Sequence, residues 1–179
     1  MESCRIKLGP KIEKLQDHTE GRLMKKEIAA YIAGFIDGDG SVRIQLQPRK
    51  NSFRVRAIIS LAQKWGKEKE LTWIRNQFKI GYLYQRNDRM TELKIEGHKS
   101  VEKILRELKP FFLFKRKQVE LVLKILENIK DGGATLLKIA KLTDKISKLN
   151  YVTVEKKYTA KYIREHTLSN TPVTTEVKA

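Results

Sequence analysis

Two stretches of alternating polarity constrain the fold of this 179-residue chain more than any other feature. Residues 41–47 carry Val, Ile or Leu at every second position, and residues 54–61 show the same alternation. A period of two predicts strands whose apolar side chains share one buried face. The first strand is predicted to end at Pro48, and residues 50–52 are predicted to form the turn. The two stretches are therefore predicted to pair as an antiparallel hairpin.

Helical periodicity surrounds this hairpin. Apolar positions recur at helical spacing over residues 25–38, and Gly38 and Gly40 are predicted to stop that helix. Further helices are predicted at residues 67–78, 101–108, 112–129, 136–149 and about 156–164, and a second hairpin at residues 82–87 and 91–96. The predicted domains are an N-terminal arm (1–24), one core domain (25–150) and a basic C-terminal segment (151–179), flexible from Thr167.

The charge of the chain indicates a polyanionic partner. Lys and Arg number 38 against 21 Asp and Glu, which gives a formal net charge of +17. Nucleic acid is the first candidate partner, because so large an excess of one sign repels itself unless an anion compensates it. A membrane surface is the second candidate, but the sequence has no long apolar segment and no strongly basic amphipathic anchor. No membrane partner is therefore expected.

The few soft ligands limit the metal chemistry. The single cysteine excludes disulfides within the chain and cysteine-rich zinc sites, and the three histidines are scattered. Any bound metal is therefore expected to be a hard cation with oxygen ligands.

The polar faces of the two hairpins suit DNA. The first hairpin carries five basic residues and no acidic one, whereas a merely solvated face normally mixes both signs of charge. Arg and Gln can each bridge two atoms of one base in the major groove, and Glu can accept from cytosine. The second hairpin has a mixed face. The predicted DNA-binding residues are Arg43, Gln45, Gln47, Arg49, Arg54, Arg56, Tyr84, Arg86, Glu92 and Lys94.

Two carboxylates lie at the end of a predicted helix where negative charge is electrostatically unfavourable. Asp37 and Asp39 follow the first predicted helix at its C-terminal end, whose partial negative charge repels them. A divalent cation that also binds phosphate would neutralise both. A plain helix-stop turn is the alternative, since Asp-Gly is common in turns. A calcium loop is excluded because Val42 and Pro48 occupy its required Gly and Glu positions.

Small residues line one side of the same helix. Ala30, Gly34 and Gly38 are four residues apart, and glycine within a helix costs about 1 kcal/mol relative to alanine. Close approach of another backbone would offset that cost. We therefore predict that Ala30, Gly34 and Gly38 form a two-fold dimer interface with the same helix of a second chain.

Residues 30–40, AYIAGFIDGDG, resemble the motif of the LAGLIDADG homing endonuclease family. The resemblance implies an α+β, αββαββα fold with a saddle-shaped antiparallel sheet and additional C-terminal helices. A single motif implies the homodimeric subgroup. The resemblance further implies that Asp39 binds metal with help from the Gly38 carbonyl, and that Asp37 is structural or outside the metal's immediate ligands.

Three more site residues come from the family pattern. Gln63 would position water, Lys67 would supply positive charge, and Lys115 would be the lysine that follows a Leu-x-Pro-Phe segment. Arg116 and Lys117 are close enough to Lys115 to be alternatives. The predicted catalytic residues are thus Asp39, Gln63, Lys67 and Lys115.

The activity implied is a staggered double-strand break in a long, pseudo-palindromic DNA target by metal-dependent phosphodiester hydrolysis. Mg²⁺ is the expected cofactor, with Mn²⁺ able to substitute and Ca²⁺ supporting binding without cleavage. The family's association with introns implies an organelle location. The alternatives are a catalytically silent DNA- or RNA-binding relative, such as an intron maturase or a regulator, and a basic structural RNA-binding protein. Retention of Asp39, Gln63, Lys67 and Lys115 favours the enzyme.

Overall fold

The computed structural model describes residues 24–132, 135–150, 157–166 and 173–174. The core elements are α1 (Lys26–Asp39), β1 (Gly40–Arg49), β2 (Ser52–Lys64), α2 (Glu68–Phe78), β3 (Tyr82–Gln85), β4 (Met90–Glu96) and α3 (His98–Leu108). A 3-10 turn (Lys109–Phe111), α4 (Arg116–Lys130), α5 (Leu136–Lys148), α6 (Ala160–His166) and β5 (Val173–Thr174) follow. The α+β order predicted from the sequence is confirmed. The predicted N-terminal arm lies outside the described residues except for Met24.

The strands form one sheet in the order β1-β2-β4-β3, with antiparallel neighbours along that path. β1 and β2 pair from Gly40 opposite Leu61 to Arg49 opposite Ser52. The predicted end of β1 at Pro48 is wrong, because the strand continues to Arg49. β1 is an edge strand, and proline is tolerated at an edge because its missing N–H need not join a ladder.

The alternation predicted for the first hairpin is confirmed. Val42, Ile44 and Leu46 are buried on the helix-covered face of β1, while the residues between them are exposed or half-buried. Ile58 and Ser60 are also buried, although they belong to the polar face of β2. They lie in an inner strand, between residues of β1 and β4: Ile58 pairs with Arg43 on one side and Glu96 on the other.

The junction between α1 and β1 differs from the prediction at one residue. Gly38 does not stop the helix, which continues to Asp39 and ends at Gly40. Gly40 is required for steric reasons, since a Cβ there would lie 2.7 Å from the Ile36 Cα. The abrupt junction places the end of the motif helix directly at the start of the sheet.

The fourth helix begins later than predicted, at Arg116 rather than Phe112. Pro110 takes part in a 3-10 turn, and the next residues are held by hydrogen bonds to the side chain of Asp37. A sequence pattern cannot show such a tertiary bond, so helical periodicity alone places the start of this helix too early.

The described part of the C-terminal segment packs on the core. α6 contacts α5, and Tyr158 makes an edge-to-face contact with Phe53 at 5.6 Å between ring centroids. Most of the tail predicted to be flexible from Thr167 lies outside the described residues, but Val173–Thr174 pair in parallel with Phe53–Arg54 of β2. Within the described ranges, none of the helices is long and apolar enough to cross a membrane.

Candidate active site

Asp39 and Gln63 meet where the motif helix enters the sheet. Asp39 is the last residue of α1 and is exposed, and Gln63 lies near the end of β2. The pairing of Gly40 with Leu61 brings the two segments together. The Gln63 Nε2 donates a hydrogen bond to the Asp39 Oδ2 at 3.2 Å. One face of this carboxylate therefore has a protein partner while the side chain stays open to a ligand.

Asp37 has a different role. Its side chain is buried, and its carboxylate accepts hydrogen bonds from the backbone N–H groups of Leu113, Phe114 and Lys115 at 2.7, 3.2 and 2.9 Å. These bonds satisfy donors immediately before α4. Asp37 thus joins the motif helix to the segment that carries Lys115, which is a structural role.

Lys115 lies in the same corner of the molecule. It is buried, and its ammonium group donates to the backbone carbonyl of Asp37. Burial lowers the pKa of Lys115 from its ordinary value of 10.5, and the carboxylates of Asp37 and Asp39 oppose part of that shift. Arg116 and Lys117 are exposed, and of these three cations Lys115 is the one with a hydrogen bond to the motif helix among the described residues.

Lys67 lies beside an open groove of about 600 Å³ next to Gln63. It is exposed at the N-terminus of α2, and the groove walls include Tyr31, Phe35 and Trp73. Lys67 and Gln63 are thus brought to one groove, although the chain crosses from a strand to a helix between them.

The donor set at the end of α1 fits a hard divalent cation. Carbonyls in a last helical turn lack the usual amide partners. The Ile36 carbonyl accepts the Gly40 N–H and the Asp37 carbonyl accepts Lys115, whereas Gly38 is exposed beside Asp39. No group of three His, Cys, Asp or Glu side chains that could hold a metal occurs among the described residues. One carboxylate and one carbonyl suit magnesium, which usually keeps water and phosphate oxygens in its shell.

The predicted DNA-binding residues lie on the sheet face opposite the core, and they form two groups. Arg43, Gln45, Gln47 and Arg49 of β1 make no ion pair or side-chain hydrogen bond with any described residue. On β2, one polar atom of Arg54, the Nε, is buried and has no partner among the described residues. Within the described part of the chain, these β1 side chains therefore keep their donors and acceptors free for an external ligand.

The second group is paired within the protein. Glu96 bonds Arg56 at 2.5 Å and Lys94 at 2.9 Å, and these contacts outweigh the effect of burial and lower the pKa of Glu96. Sequence reasoning did not include Glu96 in the site, although its alternation with Glu92 and Lys94 placed it on this face.

Glu92 is a second centre of pairing. Tyr84 donates to the Glu92 Oε2 at 2.6 Å, and this bond raises the pKa of Tyr84 to about 12. Arg86 contacts the same oxygen at 3.4 Å and Asp88 at 2.7 Å. Tyr84, Arg86 and Glu92 are therefore paired with one another within the protein.

The fold and the arrangement of the motif residues are those of an endonuclease. The chain belongs to the LAGLIDADG endonuclease family, whose model matches residues 32–125. The DNA endonuclease I-CreI of Chlamydomonas reinhardtii is 30% identical over 132 residues, covering 70% of this chain and 80% of the relative. The DNA endonuclease I-CvuI of Chlorella vulgaris is 33% identical over 126 residues, covering 67% of this chain and 78% of the relative.

Solved structures agree with this assignment. The homing endonuclease I-CvuI in complex with the I-CreI target and Mg has a TM-score of 0.71 at 29% identity, covering 76% of this chain and 90% of that one. I-CvuI with its own target and Ca gives 0.70 at 31% identity with the same coverage. The archaeal intron-encoded homing endonuclease I-Vdi141I complexed with DNA gives 0.67 at 19% identity, covering 76% and 92%, and supports the fold alone.

Proposed function

We propose that this chain is a site-specific homing endonuclease that makes a staggered double-strand break in DNA as a homodimer, with a divalent cation at Asp39. The observation that carries the proposal is the convergence of Asp39, Gln63 and Lys115 at the end of α1. Three separate segments supply these residues. Their side chains combine an open carboxylate, an amide and a buried cation beside a basic sheet.

Substrate binding is assigned to the polar face of the sheet. Arg43, Gln45, Gln47 and Arg49 along β1 have no side-chain partner among the described residues, and their side chains can donate to base edges and phosphates. The paired side chains on β2, β3 and β4 present a fixed pattern of donors and acceptors. DNA in the I-CvuI complexes supports double-stranded DNA as the partner.

We assign the metal to the Asp39 carboxylate and the Gly38 carbonyl, with Mg²⁺ as the expected ion. When bound, the ion would supply a Lewis acid for the scissile phosphate. Mg and Ca in the two I-CvuI complexes support the use of a divalent cation. We expect Mn²⁺ to replace Mg²⁺ and Ca²⁺ to support binding only.

The remaining residues act on the phosphate and the attacking water. Gln63 is held by Asp39 and can hydrogen-bond water at the site. Lys115 and Lys67 offer positive charge to the phosphoryl group and the leaving oxygen, where charge develops during hydrolysis. Lys115 is held in place by the carbonyl of Asp37, so its contribution is preorganised.

The dimer is assigned to the exposed side of α1. Ala30, Gly34 and Gly38 are exposed, and a Cβ added at either glycine would meet no atom of the described residues within 4 Å. Leu113 and Phe114, which are 78% and 76% exposed, lie beside the end of this stripe because their backbones bond Asp37. A second α1 would cover both features and bring two Asp39 side chains together.

The organelle location implied by the family stays a proposal. Its support is that the two relatives come from Chlamydomonas reinhardtii and Chlorella vulgaris.

The test is cleavage selection from a randomised palindromic DNA library, with the duplexes bound by I-CreI and I-CvuI as starting points. Wild-type protein is expected to cut a long target in Mg²⁺, and Asp39→Asn is expected to bind that target without cutting it. Asp37→Asn is the matched comparison. It is expected to lower the free energy of unfolding by about 2 kcal/mol, because it weakens hydrogen bonds to a buried charged group.

Two outcomes would overturn the assignment. Cutting by Asp39→Asn in Mg²⁺ would remove Asp39 from the metal site. A wild-type protein that binds DNA but cuts nothing in Mg²⁺ or Mn²⁺ would instead support the catalytically silent relative.

A further inference from the structure

The turn between β2 and α2 separates two of the proposed catalytic residues. Gln63 precedes it and Lys67 follows it, with only Lys64, Trp65 and Gly66 between them. The turn is closed by the Lys67 N–H, which donates to the Lys64 carbonyl at 3.3 Å. Gly66 has a φ of +94°, which side-chain-bearing residues rarely adopt. The shape of this turn therefore decides where Lys67 lies relative to Gln63.

Glu68 braces the turn from the first position of α2. Both of its carboxylate oxygens accept the Gly66 N–H, at 3.1 and 3.0 Å. Its Oε1 also accepts the hydroxyl of Thr91 at 2.8 Å. Thr91 is buried in β4 and lies directly opposite Gln63 in the sheet register. Glu68 therefore connects the turn to the strand that neighbours Gln63.

The helix dipole alone does not account for these contacts. Acidic residues are favoured in the first turn of a helix, and α2 has two of them, Glu68 and Glu70. Glu70 is exposed and makes no side-chain hydrogen bond or ion pair with another described residue. Glu68 accepts three hydrogen bonds from two segments, and its own backbone N–H, Gly66 and Thr91 lower its pKa in that order of effect. The two residues thus form a natural comparison.

We propose that Glu68, held by Thr91, is a positioning residue that sets the orientation of Lys67 relative to Gln63 in the active site. The proposal rests on the cleavage function assigned above. Glu68 does not touch the reacting atoms. It holds the turn in one shape, so that the charge of Lys67 and the amide of Gln63 reach the same phosphate.

Loss of this brace should affect chemistry more than binding. Misplacement of a catalytic group by about 1 Å can cost about 100-fold in rate. DNA affinity depends mainly on many contacts along the sheet, which the turn does not touch.

The experiment compares Glu68→Ala and Glu68→Gln with the control Glu70→Gln in the full-length protein. DNA affinity is measured in Ca²⁺ with the intact duplex that wild-type protein cuts. The single-turnover cleavage rate of the same duplex is measured in Mg²⁺. Glu68→Ala is expected to cut about 100-fold more slowly at unchanged affinity. Glu68→Gln keeps one acceptor oxygen and should lose less, and Glu70→Gln should match wild type.

Thr91 supplies a second pair of variants that does not alter the turn itself. Thr91→Ser keeps the hydroxyl and should keep the cleavage rate, whereas Thr91→Val should slow cleavage at unchanged affinity. Hydrogen exchange at the amides of residues 64–68 should be faster in Glu68→Ala and Thr91→Val and unchanged in Glu70→Gln. Melting temperatures identify any variant that fails to fold. If Glu68→Ala or Thr91→Val does so, the cleavage rates and affinities of Glu68→Gln and Thr91→Ser are compared with those of Glu70→Gln instead.

Three results would overturn the proposal. One is cleavage by Glu68→Ala at the wild-type rate. Another is a parallel loss of rate and DNA affinity, and the third is an equal loss in Glu70→Gln, which would indicate the helix dipole. If wild-type protein cuts no DNA, the assigned function fails, and the exchange rates alone decide whether Glu68 braces the turn.

Discussion

Asp37 and Asp39 stand two residues apart at the end of one helix, yet their carboxylates meet different groups. Asp37 is buried and accepts three backbone N–H groups before α4, while Asp39 is exposed and, among the described side chains, accepts a hydrogen bond only from Gln63. The Asp37 carboxylate is used in hydrogen bonds within the fold, and the Asp39 carboxylate is open to a ligand. The unfavourable position of two acids at a helix C-terminus is thus resolved by different partners for each.

Lys115 gives the site a titratable cation. Because burial lowers its pKa below 10.5, Lys115 loses its positive charge at lower pH than an ordinary lysine. If the charged form stabilises the transition state, the single-turnover cleavage rate falls as pH rises through this pKa. Lys115→Arg, whose guanidinium stays charged, should move the fall to higher pH.

The pH profile of Lys117→Arg serves as the control, because Lys117 is exposed on α4. An alkaline fall that is the same in wild type, Lys115→Arg and Lys117→Arg would contradict a catalytic role for the Lys115 charge.

At the scale of the element, the polar face of the sheet has two parts, one with side chains that lack partners among the described residues and one with side chains in ion pairs. Arg43, Gln45, Gln47 and Arg49 on β1 make no side-chain hydrogen bond or ion pair with a described residue, whereas Arg56 on β2 and Lys94 on β4 share Glu96. We expect only the β1 side chains to meet DNA without first breaking an ion pair. Glu96 therefore restrains two cations that a uniformly basic face would offer directly to phosphates, and we expect it to favour selective over non-selective binding.

Replacement of Glu96 by Gln should release Arg56 and Lys94. Binding to non-target DNA should then strengthen, and the slope of log K against log salt concentration should steepen by about one unit for each additional phosphate that a released cation neutralises. Binding titrations over a range of salt concentrations measure both.

Glu102→Gln is the matched control, since Glu102 also pairs with an arginine but lies on α3, which packs on the core side of the sheet rather than on its polar face. Equal salt slopes in the two variants would show that Glu96 does not keep Arg56 and Lys94 from binding DNA phosphates.

At the scale of the whole molecule, we propose that a single chain is one half of a symmetric enzyme. The exposed stripe of α1, with Leu113 and Phe114 at its end, has no cover among the described residues. A two-fold contact there would join two sheets into one surface and place one Asp39 at each DNA strand. It would also explain why a helix with internal glycines persists.

Gly34→Leu tests this assembly. A Cβ at Gly34 meets none of the described residues beyond its own helix turn, and leucine favours helix by roughly 1 kcal/mol over glycine, so the monomer should stay folded. The larger side chain should block close approach of two α1 helices. Sedimentation equilibrium is expected to show a dimer for wild type and a monomer for Gly34→Leu, with loss of double-strand cleavage.

Lys124→Leu is a control on the exposed face of α4 and should remain dimeric. A dimeric Gly34→Leu protein, or a monomeric wild type that cuts both strands, would rule out pairing through α1.

Much of the fold could be predicted because its patterns are local. Alternation in residues 41–47 and helical spacing in residues 25–38 follow from which face of each element is buried, and both are confirmed. The errors lie where a distant residue intervenes. The start of α4 moves to Arg116 because Asp37, 78 residues before Lys115, binds the preceding backbone.

The sequence by itself determined the element order, the basic face of the first hairpin and the motif that marks Asp39. Each of these depends on residue type and spacing along the chain. Only the tertiary structure showed that Asp37 accepts backbone N–H groups before α4, that Lys115 hydrogen-bonds the motif helix, and that Glu96 and Glu68 contact Arg56 and Gly66. Most of these contacts join segments that are far apart in the chain. The contact of Glu68 with Gly66 is local, but it depends on the conformation of the turn, which no pattern of residue types encodes.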